Sequence, residues 1–135
     1  MPRLAAALAR VALALAAGAV GAAPNDVVFR ADANAGKEIY ARCLACHALA
    51  YDRTGPRHCG LFGRRAGSVK DFAYSDAMKR SRIVWSERTL DRFLANPLAA
   101  VPGTAMGYAG VADRSERSNL IAYLKQASQS QECKK

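Results

Sequence analysis

The sequence predicts an all-α fold in which three to five helices are joined by long loops. Apolar residues recur at helical spacing in Leu90, Phe93 and Leu94, and again in Leu120, Ile121 and Leu124. No stretch of useful length alternates apolar and polar residues as a half-buried strand does. The third observation is the run Cys43-Leu44-Ala45-Cys46-His47, two thiols three positions apart followed by an imidazole. Each thiol can add to one vinyl group of a single haem, and the imidazole is then held under the iron as its proximal ligand. The loops therefore have one covalently bound haem c to wrap.

Two other chemistries compete for the same run. A thioredoxin-like redox pair would open a helix after a strand in a βαβ pattern, and no such strand precedes Cys43. A structural zinc site would need a second ligand pair, whereas the other cysteines, Cys59 and Cys133, lie far apart in sequence.

The elements follow in chain order. Arg3 and Arg10 are the only charges in the first 25 residues, and Val11 to Val20 contains only Val, Ala, Leu and Gly. Small residues, Gly21-Ala22-Ala23-Pro24, come next. This pattern predicts a secretory signal peptide over residues 1–23, cleaved after Ala23, and a functional domain over 24–135. A stable membrane anchor is the alternative, but the apolar run is about half of the roughly 20 residues needed to span a bilayer.

A helix then starts near Asp32 or Asn34, either of which can cap it, and carries Ile39 and Tyr40 toward the core. It delivers Cys43 at its C-terminal end. From Ala48 to Lys70, glycines, Pro56 and polar residues predict a loop along one haem edge. Ser75 caps a short piece through Lys79, and Ser86 caps a helix from Glu87 to Asn96 that Pro97 stops. A loop containing Pro102-Gly103 follows. The last helix opens with Asp113 and Glu116 at capping-box spacing.

The formal net charge is +9, and removal of Arg3 and Arg10 with the signal leaves +7. A basic surface suits nucleic acid, an anionic membrane or an acidic protein. Export argues against nucleic acid, and no block of like charge or basic amphipathic helix marks a membrane patch. An acidic redox protein remains. In an oxidising compartment, Cys59 and Cys133 are left as a pair once the haem takes Cys43 and Cys46. A disulfide and two free thiols, one in a loop and one in a frayed tail, are both open to them.

The iron's second face decides between electron transfer and chemistry on a small ligand. His58, Met78 and Met106 are the candidates to fill it, with lysines weaker. Met78 sits in a short helix and reads as packing, and His58 sits awkwardly close in sequence to His47. Met106 lies in a loop between two helices.

From Gly36 to Gln126 the chain resembles the class I cytochromes c, in particular the c2 and mitochondrial-type branch. The resemblance is carried by the C-x-x-C-H run, by Gly55-Pro56 with Gly60-Leu61-Phe62-Gly63-Arg64-Arg65-Ala66-Gly67, and by Phe72-Ala73-Tyr74-Ser75-Asp76-Ala77. Ile83-Val84-Trp85, Leu94-Ala95-Asn96-Pro97, Val101-Pro102-Gly103-Thr104-Ala105-Met106 and Leu120-Ile121-Ala122-Tyr123-Leu124-Lys125 continue it in the same order.

The resemblance implies the class I cytochrome c fold, with His47 and Met106 as the two iron ligands. It implies that Pro56 accepts from the other ring nitrogen of His47, and that Arg64, Tyr74 and Trp85 hold the haem propionates. Phe93 takes a position where the family often has tyrosine, and Tyr108 matches an aromatic residue at the exposed haem edge. Four departures stand out: His58 replaces a leucine beside the haem, Cys59 and Cys133 are additional, Lys70-Asp71 replaces a Pro-Gly turn, and Met78 replaces an asparagine. His58 is then either buried and neutral or titrates near neutral pH.

What the resemblance implies for function is a periplasmic monomer that carries one electron at a time between redox proteins. A bc1-type complex would be the donor, and a terminal oxidase or photosynthetic reaction centre the acceptor. Two other readings are a dedicated cytochrome subunit of one periplasmic dehydrogenase, and a haem sensor or peroxidase in which His58 acts on an open iron face.

Overall fold

The computed structural model describes residues 30–134, so the signal-peptide reading of residues 1–23 and the start of the functional domain lie outside the described residues. Among the described residues there are five α-helices and no strand; the one β-bridge pairs Arg65 with Val84. No described helix is long and apolar enough to cross a membrane.

Helix α1 is Ala33–Tyr40. Asp32 caps it, its carboxylate accepting from the Asn34 backbone N–H at 2.8 Å. The helix tightens into one 3₁₀ turn, Ala41–Cys43. The Cys46 and His47 backbone N–H groups then fold back onto the Cys43 carbonyl at 3.1 and 2.9 Å. The cysteines and the imidazole therefore sit on a closed turn at the end of a helix.

Helix α2, Asp76–Arg80, is capped by Ser75, and α3, Glu87–Ala95, by Ser86 in a full capping box with Thr89. Pro97 ends α3 but does not open a loop. It stands at the first position of a further turn, α4, Pro97–Ala100, where the ring removes only an N–H that would be unpaired anyway. Asn96 caps that turn through the Ala99 N–H at 3.0 Å.

Helix α5, Arg114–Ala127, is capped by Asp113, which accepts from the Glu116 N–H at 2.8 Å. The Glu116 carboxylate does not complete a capping box; Arg42 engages it with two guanidinium nitrogens at 2.9 and 3.1 Å. That pair is exposed, so it contributes little to stability. Asp71 takes a positive φ of 63°, so the Lys70-Asp71 turn adopts a left-handed conformation that aspartate tolerates better than most residues.

The core forms where α1 crosses α5 and α3 packs beside it. Gly36 makes the crossing close: a Cβ there would lie 1.9 Å from the Asn119 carbonyl oxygen. The Asn119 side chain in turn accepts from the Asp32 N–H at 2.8 Å. Leu120, 1% exposed, fills the space beneath, and burying such a side chain contributes about 2 kcal/mol. Arg117, 8% exposed, sits on the same stripe as Leu120, Ile121 and Leu124. Its charge is satisfied by Asp91 at 2.9 Å and by the Val111 and Ala112 carbonyls at 2.9 and 2.8 Å.

Two loops complete the frame. Backbone bonds between Gly63 and Trp85, Arg64 and Trp85, and Ala66 and Ile83, all 2.8 to 2.9 Å, form a short ribbon that fixes Arg64 and Trp85 side by side. At the other end of the chain Cys133 ends a 3₁₀ turn, Gln131–Cys133, and is joined to Cys59 by a disulfide with a Cα separation of 5.2 Å.

Candidate haem site

The helices and loops surround a cavity of about 480 Å³. Cys43, Cys46, His47, Pro56, Arg64, Tyr74, Trp85 and Met106 all line it, although they come from five separate segments of the chain. Cys43 and Cys46 are free thiols, half-buried and exposed respectively, and burial pushes the Cys43 thiol up.

His47 is 8% exposed. Its Nδ1 donates to the Pro56 carbonyl at 2.7 Å, which fixes the ring's orientation and tautomer and leaves Nε2 as a lone-pair donor. Burial lowers the His47 pKa, against the Pro56 contact, so the ring is available in the neutral form that a metal requires. Gly55 gives the ring its room. A Cβ there would stand 2.3 Å from His47 Cε1. Gly55→Ala should therefore turn the imidazole away from Pro56, with haem per purified chain falling severalfold and stability falling by about 1–3 kcal/mol. Haem content against total protein and thermal denaturation check both.

Met106 reaches the same cavity from the loop between α4 and α5, its N–H held by Thr104 Oγ1 at 3.2 Å. Arg64 donates through Nη1 to the Cys59 carbonyl at 2.9 Å and through Nη2 to the Arg57 carbonyl at 2.8 Å. Its Nε is buried without a partner. An orphaned guanidinium N–H in a cavity wall calls for an anionic acceptor, and burial lowers the Arg64 pKa. Tyr74, packed edge-on against Phe72 at 4.7 Å, and Trp85, tilted against Phe93 at 5.0 Å, add a phenol and an indole to the lining. Burial pushes the Tyr74 phenol up.

This donor set fits a flat apolar ring with carboxylate edges and a central metal. Cys43 and Cys46 would take its two thioether bonds, His47 and Met106 would be the residues to ligand its iron, and the Arg64 Nε–H would be the donor for a propionate. The group would supply a one-electron change at iron. The chain supplies the orientation, the dry lining and the ligands.

His58 is where the sequence and the fold diverge most. Its ring is stacked on His47, with centroids 4.3 Å apart and planes 22° from parallel. Its Nδ1 is 3.0 Å from the Tyr40 hydroxyl, forming a hydrogen-bonded pair. The ring is half-buried and lines the same cavity; desolvation, with His47 and Arg64 adding to it, holds the His58 pKa down at about 3, so of the two possibilities it is the neutral one. It therefore lies against the flat face of the His47 imidazole, at the same wall of the cavity. Tyr40 was readable only as a core aromatic; its spacing three residues before Cys43, on the stripe with Ile39, gave no sign of a polar partner.

A Cytochrome c family profile matches residues 33–128. Cytochrome c2 of Blastochloris viridis is 45% identical over 98 residues, covering 70% of this chain and 77% of that protein. Cytochrome c of Tetrahymena pyriformis is 48% identical over 104 residues, covering 76% and 94% respectively. Among solved structures, cytochrome cH from Methylobacterium extorquens superposes with a TM-score of 0.69 at 40% identity, covering 70% of this chain and 98% of that one. Sequence, fold and cavity lead to one conclusion: this chain belongs to the cytochrome c family, in its class I branch, and binds one covalent haem c.

Proposed function

We propose that this chain is an exported, freely diffusing electron carrier of the periplasm, not an enzyme, with its iron held between His47 and Met106. The observation that carries the reading is the pair of ligands offered to one cavity: an imidazole fixed by Pro56 with Nε2 free, and a thioether from a separate loop. A thioether ligand favours the ferrous state relative to a second imidazole, so the potential is high. Ligation on both faces leaves no position for substrate, which suits transfer through the haem edge. The stacking of His58 on His47, which groups it with the proximal imidazole, supports the carrier reading over a peroxidase or sensor.

A mobile carrier also suits the surface. The large apolar side chains exposed among the described residues are Leu44, Tyr51, Val84 and Leu98. With +7 once the signal and its two arginines are removed, the exported chain would meet an acidic redox partner in a weak, salt-sensitive encounter. A bc1-type donor and a terminal oxidase or reaction-centre acceptor fit that description; a stable dehydrogenase complex would call for a continuous apolar patch.

The test is the optical spectrum of the haem-loaded ferric protein. The weak far-red band of sulfur-to-iron charge transfer should be present in the wild type and lost in Met106→Ala. A wild-type protein without the band would show that Met106 is not the ligand.

A further inference from the structure

We propose that His58 is a positioning residue for His47: braced by Tyr40, its ring forms a π-surface against the flat face of the iron-binding imidazole that favours the oxidised state of the bound haem. The inference rests on His47 as an iron ligand.

The geometry is that of a built contact. The two imidazoles lie near-parallel with centroids 4.3 Å apart. His58 is held against rotation by Tyr40 at 3.0 Å. Its backbone N–H is held by the Ala48 and Leu49 carbonyls at 3.1 and 3.0 Å. The next residue, Cys59, is tied to Cys133, and its carbonyl accepts from Arg64 at 2.9 Å. Tyr40 is itself only 3% exposed and tilts against Tyr123 at 5.1 Å, so the brace is as fixed as the ring.

A leucine in this place could fill the volume but could neither pair with the Tyr40 hydroxyl nor present a π-face. Oxidation adds one positive charge at iron, and part of that charge spreads onto a ligated imidazole. A π-face at stacking distance attracts positive charge, whereas hydrocarbon does not. The ferric form therefore gains more from His58 than the ferrous form, which lowers the midpoint potential.

Four haem-loaded proteins test this: wild type, His58→Leu, His58→Phe, and the double variant Tyr40→Phe/His58→Leu. The potential should rise in His58→Leu and remain nearer wild type in His58→Phe, which keeps a π-face. In the double variant, thermal stability should recover relative to His58→Leu, because no buried hydroxyl is left unpaired, while the potential stays raised. The proposal is overturned by an unchanged potential in His58→Leu, by equal shifts in the Leu and Phe variants, or by a potential that returns with stability in the double variant. The far-red band in the same samples reports Met106 separately. A low-spin wild type lacking the band removes only the Met106 ligand and leaves the potentials to judge His58; a high-spin wild type overturns both readings.

Discussion

The double variant Cys59→Ser/Cys133→Ser should melt roughly 15–30 °C below the parent, with an unaltered haem spectrum. The disulfide joins residues 74 apart in sequence. Cross-linking so long a loop withdraws unfolded conformations worth about 4 kcal/mol in the chain-entropy model, and each kcal/mol moves the melting point of a domain this size by about 4–8 °C. The thioether bonds to Cys43 and Cys46 cannot substitute, since they tie the chain to the haem over only one turn. Neither Cys59 nor Cys133 lines the cavity, which is why the spectrum should hold while stability falls. Calorimetry of the two haem-loaded proteins checks both parts. Equal melting temperatures would mean that the unfolded chain is already constrained by other means.

Gly36→Ala should destabilise the protein by about 2–3 kcal/mol, although local preference points the other way. Alanine in place of glycine inside a helix gains about 1 kcal/mol from propensity. Against this, the new methyl would stand 1.9 Å from the Asn119 carbonyl oxygen, 2.5 Å from its carbon and 2.8 Å from Tyr123 Cβ. Two of those atoms are backbone, so no rotamer change relieves the overlap and α1 must lift away from α5. The Asp32 to Asn119 bond would be strained by the same movement. Chemical denaturation of the haem-loaded variant measures the net loss. A gain in stability would show that the two helices can separate at little cost.

Much of this was legible because it is local. Asp32, Ser75, Ser86 and Asp113 cap their helices as short polar side chains before apolar runs should, and the cysteine spacing carries its own chemistry. The unread parts depend on contacts across the fold. Pro97 was readable as a stop, but whether it also begins a helix depends on Asn96 turning its side chain toward Ala99. Glu116 had the spacing for a capping box and is held by Arg42, 74 positions away. Arg117 is buried although arginine is rarely so. Its register with Leu120, Ile121 and Leu124 was the available signal that it is buried. The resemblance flagged His58 as a departure, yet its stacking on His47 and its bond to Tyr40 follow only from how the loop after Pro56 folds back on α1.

The crossing of α1 and α5 also sets an order of events in folding. The bond from the Asp32 N–H to Asn119 links residues 87 apart, so the core cannot close until the last helix has been made. Contacts at such separation must overcome the entropy of closing a long loop before they return any stability. Until then α1 has only eight residues and no partner, too short to persist alone in water. The turn that carries Cys43, Cys46 and His47 therefore gains its firm support only when α5 docks on α1.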